Sequence, residues 1–212
     1  KMKSLLQAIT LLAITTIALS CKKNKDVIAP APVAADIYVA GTAALNLNVA
    51  YGKFWKIGIG ITVTASIRNG YVFSVTGNEA DVYMCGAERN AANIDVAKLW
   101  KNGIVTNLSN GVQRAGAFTV AISGTDVYVG GYSTVATDGF TRATLWKNGN
   151  PTIIDGSFGS NAIINDIEIV GADVYCVGSA DSTGTRVARL WKNGTVVPLG
   201  NTINTTGQVS MA

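Results

Sequence analysis

Asp126-Val-Tyr-Val-Gly-Gly131, followed by Ala143-Thr-Leu-Trp-Lys-Asn-Gly149, decides how this chain folds, because both segments recur. The first returns as Asp36-Ile-Tyr-Val-Ala-Gly41, Asp81-Val-Tyr-Met-Cys-Gly86 and Asp173-Val-Tyr-Cys-Val-Gly178, its aspartates 45, 45 and 47 residues apart. The second returns as Gly52-Lys-Phe-Trp55, Ala97-Lys-Leu-Trp100 and Ala188-Arg-Leu-Trp191, its tryptophans 45, 46 and 45 apart. Those are all the tryptophans of the chain. Two markers in step, four times each, define a tandem repeat of about 46 residues, and a period of that size signals a repeat architecture.

Each unit reads as four short strands. Phe118 to Ser123 is rich in β-formers, and Gly124-Thr125-Asp126 turns it into Val127 to Tyr132. After a longer connection come Ala143 to Lys147, a turn at Asn148-Gly149, and Pro151 to Ile154. Asn-Gly between apolar runs marks a tight hairpin, since both residues accept positive φ. Asn102-Gly103 and Asn193-Gly194 repeat the signal, whereas the first unit has Ile57-Gly58. Four strands per repeat predict an all-β fold, a β-propeller of four-stranded antiparallel blades. Stacking between neighbouring blades covers both faces of a strand, which suits Val127-Tyr128-Val129 better than one-sided alternation does. The small residue three places before each tryptophan (Gly52, Ala97, Ala143, Ala188) leaves room for a bulky neighbour. The units start near residues 36, 70, 116 and 162, with a partial unit from 204. The first begins at its second strand, because Pro30 and Pro32 occupy the slot of the first and proline interrupts a ladder. About four blades are thus present, either as a closed ring or as a piece of a larger one, and we expect the piece.

The first 20 residues differ from the rest. Lys1 and Lys3 precede an apolar stretch from Leu5 to Leu19 that is interrupted by Gln7, Thr10, Thr15 and Thr16. It is short and polar for a membrane span, which takes about 20 apolar residues, and it has the layout of a secretory signal peptide over 1–20. Its exit, Ala18-Leu19-Ser20-Cys21, resembles the lipobox of bacterial lipoproteins. That resemblance implies cleavage before Cys21 and attachment of a lipid to its thiol, so the membrane is a partner through the N-terminus. Residues 21–35, with Lys22-Lys23-Asn24-Lys25 and two prolines, read as a solvated tether. The resemblance also implies secretion to the bacterial outer membrane or cell surface, since Lys22 stands where an Asp would signal inner-membrane retention.

The repeats themselves, from Val-Gly-Gly-Tyr-Ser through Arg-Ala-Thr-Leu-Trp-Lys-Asn-Gly to Val-Pro-Leu-Gly200, resemble the HAF-type extracellular repeats and related propeller repeats of bacterial surface proteins. The resemblance spans residues 36–212 and implies extracellular binding or scaffolding, with a glycan or protein as ligand. A propeller-type carbohydrate-active hydrolase or lyase is the rival, its catalytic residues lying mostly beyond this sequence.

Residue chemistry narrows the choice. The net charge of +4 resides in the leader and tether, because residues 27–212 hold 12 basic and 12 acidic side chains. That balance lacks the basic footprint of a nucleic-acid binder. The chain has no histidine, which removes His triads and imidazole acid/base chemistry, and nothing matches the spacing of a calcium loop. No cofactor or metal ligand set and no catalytic constellation emerge. The aspartates 36, 81, 126 and 173 read as turn-fixing residues that accept backbone N–H groups. The tryptophans read as inter-blade core, with sugar stacking as the alternative. Cys85 and Cys176 read as buried thiols.

The turns after strands one and three are tight, while the connections after strands two and four are long and differ between copies. Alternating strand direction puts the long connections at one end of every sheet, where specificity is free to vary. Glu88, Asp95, Asp138 and Asp181 all fall in the connections between strands two and three, where carboxylate-pair chemistry is conceivable and charged surface loops are the plainer reading. Arg89, Arg114, Asp138 and Asp181 are the charged candidates for ligand binding at that end.

Overall fold

A computed structural model of the chain describes residues 37–46, 49–56, 59–64, 69–78, 80–156, 161–182 and 184–199. The expected signal peptide, Cys21, the expected tether, Asp36 and the expected partial unit from 204 lie outside the described residues. The described chain is all-β, and its strands form four antiparallel sheets in sequence order. Sheet 1 holds β1 (Tyr38–Asn46), β2 (Val49–Lys56) and β3 (Ile59–Thr62). Sheet 2 holds β4 (Gly70–Gly77), β5 (Val82–Arg89), β6 (Asp95–Lys101) and β7 (Ile104–Asn107). Sheet 3 holds β8 (Ala115–Ser123), β9 (Asp126–Thr134), β10 (Thr141–Lys147) and β11 (Asn150–Asp155). Sheet 4 holds β12 (Ala162–Val170), β13 (Asp173–Ser182), β14 (Thr185–Lys192) and β15 (Thr195–Val197). Each strand pairs with its neighbours in sequence, so the four-strand unit read from the repeat is one sheet. Sheet 1 has three strands among the described residues, beginning with the equivalent of β5.

Apolar packing joins sheet 1 to 2, 2 to 3 and 3 to 4, while among the described residues no extensive packing joins sheet 4 to sheet 1. Each interface centres on a buried tryptophan. Trp100 packs with Phe54 of the sheet before it, Trp146 with Tyr83, Cys85 and Ala97, and Trp191 with Tyr128 and Ala143. The three rings are at most 1% exposed. Ala97 and Ala143 are fully buried against the next sheet's tryptophan cluster, the role expected of the small residue in the repeat. At Gly52 a Cβ would lie 2.5 Å from Val72 Cγ2 of sheet 2, so the first unit needs glycine there. The indole N–H groups are also satisfied across the interfaces: Trp146 donates to the Leu108 carbonyl at 2.9 Å and Trp191 to Asp155 Oδ2 at 3.2 Å.

The glycine closing each Asp-Val-Tyr segment has a separate cause. The first strands β4, β8 and β12 are bulged at one shared place, between Val72 and Ser74, Ala117 and Thr119, and Ile164 and Asp166. The bulge pushes a carbonyl toward the second strand, and a Cβ at Gly86, Gly131 or Gly178 would sit 1.9, 2.0 or 2.0 Å from it. No side chain fits at that distance. Among the described residues, a Cβ at Gly41, the same repeat position in sheet 1, would meet the Trp55 ring at an ordinary 3.5 Å.

Candidate functional site

The two ends of the sheets differ in what they do with their polar groups. At the tight-turn end, the landmarks Asp-Val-Tyr and Lys-Asn-Gly, far apart in sequence, form one cluster across the second and third strands. Asn102, Asn148 and Asn193 each adopt φ of 51°, followed by glycines at 83°, 83° and 80°, the paired left-handed geometry of the predicted hairpins. Their side-chain oxygens accept the N–H of Val82, Val127 and Val174 at 2.9, 2.8 and 2.8 Å. Their amide nitrogens donate to Asp81, Asp126 and Asp173 at 2.7, 2.8 and 2.8 Å. Lys101, Lys147 and Lys192 pair with the same aspartates at 2.8, 2.7 and 2.7 Å while lying over the rings of Tyr83, Tyr128 and Tyr175.

This corrects one expectation. The described repeat aspartates brace the hairpin, but through Asn and Lys side chains rather than by accepting backbone N–H groups, because the Asn oxygen already takes the available valine N–H. Hydrogen bonds from the lysines and asparagines hold the three carboxyls below the ordinary carboxylate range. The same bonds raise the lysines. In sheet 1, Lys56 lies over the Tyr38 ring in the equivalent place.

At the long-connection end, the charged residues named from sequence are mostly engaged inside their own sheets. Arg89 donates to Asp95 at 2.9 Å, tying β5 to β6. Glu88 pairs with Lys98 at 3.3 Å. Asp138 pairs with Arg142, their side chains only 3% and 7% exposed, and also accepts the Phe140 N–H. Asp181 accepts from Asn161 Nδ2 at 2.9 Å and Arg186 at 3.2 Å. Burial pushes the Asp181 carboxyl up, but those partners outweigh it and hold it low. Arg114 is exposed and has no ion pair among the described residues. The four candidates thus lie on one kind of sheet end across three units, but three serve as braces.

What the structure assembles there is a row of rings. Tyr71 and Phe73 stack with centroids 6.0 Å apart, Phe73 meets the edge of Phe118 at 5.3 Å, and Phe118 lies 5.6 Å from Tyr132. Phe73 and Phe118 occupy the bulge positions of β4 and β8, and Phe73 is 50% exposed. In sheet 2 the tyrosine comes from the first strand. In sheet 3 it comes from the second, and Gly116 makes room: a Cβ there would lie 2.8 Å from the Tyr132 ring. The row stops at sheet 4, where the bulge residue is Asn165, its Oδ1 buried without a partner among the described residues. No protein-family model matches the chain, and no curated protein is similar to it.

Tyr132 feels its surroundings. Burial raises its phenol, Asp95 raises it further, and Arg114 opposes both. The hydrogen bond and charge of Asp95 raise Arg89 above its ordinary value. In the sequence, the repeating tryptophans are the alternative sugar-stacking set. This row does not repeat, since Tyr132 aligns with Ala87 and Ser179 in the other units. The shared signal was Phe before a hydroxyl residue in Val72-Phe-Ser74 and Ala117-Phe-Thr119. Both thiols are buried and free, and burial raises Cys85 and takes Cys176 to about 12. Neither is a nucleophile under ordinary conditions.

Proposed function

We propose that this chain is the propeller part of a secreted, lipid-anchored surface protein whose long-connection face binds an extracellular ligand, a glycan or a protein. The four consecutive antiparallel sheets are blades of one propeller, and the anchor is a lipid on Cys21. The resemblance of the repeats to HAF-type extracellular repeats and of residues 18–21 to a lipobox supports the cellular setting. The observation that carries the binding role is the ring row from Tyr71 to Tyr132, partly open to solvent at the end where the connections vary. A contiguous apolar patch that stays open to solvent marks a binding surface more often than a scattered exposed side chain does.

The experiment is a binding screen of the full chain against cell-surface glycans and proteins, with Phe73→Ala as its control. Any ligand that belongs to this face should lose affinity in the variant. Retention of every ligand by Phe73→Ala would reject the face. For the anchor, metabolic labelling with a palmitate analogue should mark the wild type and leave Cys21→Ala unmarked, and equal labelling would reject it.

A further inference from the structure

Beside the ring row lies a polar cleft of about 230 Å³, lined by Glu88, Arg89, Asn90, Lys98, Asn107 and Asn110. Its wall is built deliberately by the chain. Asn90 accepts the N–H groups of Ala92 and Ile94 and donates to the Gly111 carbonyl at 2.9 Å, which pins the connection from β7 to β8 over the cleft. Gly111 takes φ of 74° there. Arg89, paired with Asp95, lines the cleft beside Glu88, and the β4–β5 ladder sets Gly70 opposite Glu88 and Tyr71 opposite Ala87. The first ring of the row therefore lies one rung along the ladder from a residue of the cleft.

Its chemistry selects a ligand class. Glu88–Lys98 and Arg89–Asp95 are paired, so the cleft presents charged groups without a net charge. A polyanion such as nucleic acid needs several unpaired cations, and Arg114 alone lacks a counter-ion near the row among the described residues. Carboxylates, a guanidinium and amides together offer donors and acceptors side by side, which matches hydroxyl groups, each of which donates and accepts. The side-chain amide of Asn107 has no partner among the described residues. Flat apolar rings next to such a cleft suit a molecule with apolar C–H faces and hydroxyl edges. We propose that the long-connection end of sheets 2 and 3 is a saccharide-binding surface, with Phe73 and its neighbouring rings stacking on sugar faces and the Glu88–Asn110 cleft taking the hydroxyls. This deepens the binding role proposed above and rests on it.

The test is a panel of neutral oligosaccharides, uronate-containing oligosaccharides and proline-rich peptides, titrated calorimetrically against the full chain. The peptides are included because aromatic grooves also take polyproline helices. A saccharide should bind, and Phe73→Ala should weaken it by about tenfold or more, as truncating a central aromatic anchor does. Phe73→Tyr should retain binding. Asn107→Ala should weaken it by a smaller factor without moving the melt, and Lys147→Ala at the opposite end should change nothing. Peptide binding that depends on Phe73, with no saccharide bound, would overturn the saccharide proposal and leave the binding face standing. Saccharide binding indifferent to both Phe73 and Asn107 would overturn the site itself.

Discussion

The tight-turn end and the long-connection end of the same sheets spend their polar groups in opposite ways. At the tight-turn end, Asp, Tyr, Lys and Asn converge identically in sheets 2, 3 and 4, with distances that agree within about 0.2 Å from copy to copy. At the other end each sheet has its own solution: an Arg89–Asp95 rung, a buried Asp138–Arg142 pair, and an Asn161–Asp181–Arg186 cluster. Identical clusters answer a problem that every unit shares, closing a hairpin. Differing ones answer local problems of loop support and leave room for rings that no repeat requires. Repetition here marks structure, and departures from it mark where recognition can reside.

The largest effects should come from groups that the interfaces enclose. Trp146→Ala should cost about 3–5 kcal/mol, as other buried aromatics do, and Asp138→Ala also several kcal/mol, because it removes the carboxylate from a buried ion pair with Arg142. Both are read from denaturant melts. Asp138→Ala melting like wild type would show that its pair with Arg142 opens freely and that the loop end is less braced than described. Gly131→Ala should be far more damaging than Gly41→Ala, because only the first drives a Cβ into a carbonyl at 2.0 Å. Equal losses would mean that the bulge is not what the glycine serves.

A middle-sized effect is expected at the hairpin clusters. Asn148→Ala should cost about 1–3 kcal/mol, since it loses two side-chain hydrogen bonds and places alanine at positive φ. Asn148→Gly should recover the backbone part alone, separating the two contributions.

The smallest effect is that of pH. The carboxyls of Asp81, Asp126 and Asp173 titrate lower in the fold than in the unfolded chain. Their stabilisation is present above the ordinary carboxylate range and is lost as pH falls through the lowered values. The raised lysines act in the opposite sense, present below their ordinary range and lost as pH rises through the raised values. Stability should therefore be flat near neutrality and decline toward both extremes, by less at high salt because these groups are exposed. Acid melts insensitive to Asp126→Asn would remove the carboxylates from that account.

Much of this was legible in the sequence, and the boundary has a physical origin. The unit, its hairpins, the tryptophan core and the small residues facing it were readable because each depends on residues close in sequence or on strict periodicity. The glycines 86, 131 and 178 carried a signal without a visible cause, since the cause is a carbonyl on another strand displaced by a bulge. Asp138 and Asp181 looked available because their partners, Arg142 and Arg186, sit across a connection whose path the sequence does not state. The ring row was hidden for the complementary reason: Tyr71 and Tyr132 come from different strands, so aligning the repeats separates them.

The most direct test of this division compares one variant from each end for melting temperature and ligand binding together. Phe73→Ala should weaken binding by about tenfold or more and move the melt by no more than a few degrees, because the ring is half exposed and about 1 kcal/mol shifts a domain of this size by roughly 2–4 °C. Asn148→Ala should lower the melt by a larger amount and leave binding intact. A result in which Asn148→Ala abolishes binding at full occupancy of the folded state, while Phe73→Ala only melts early, would contradict the assignment of structure to one end and recognition to the other.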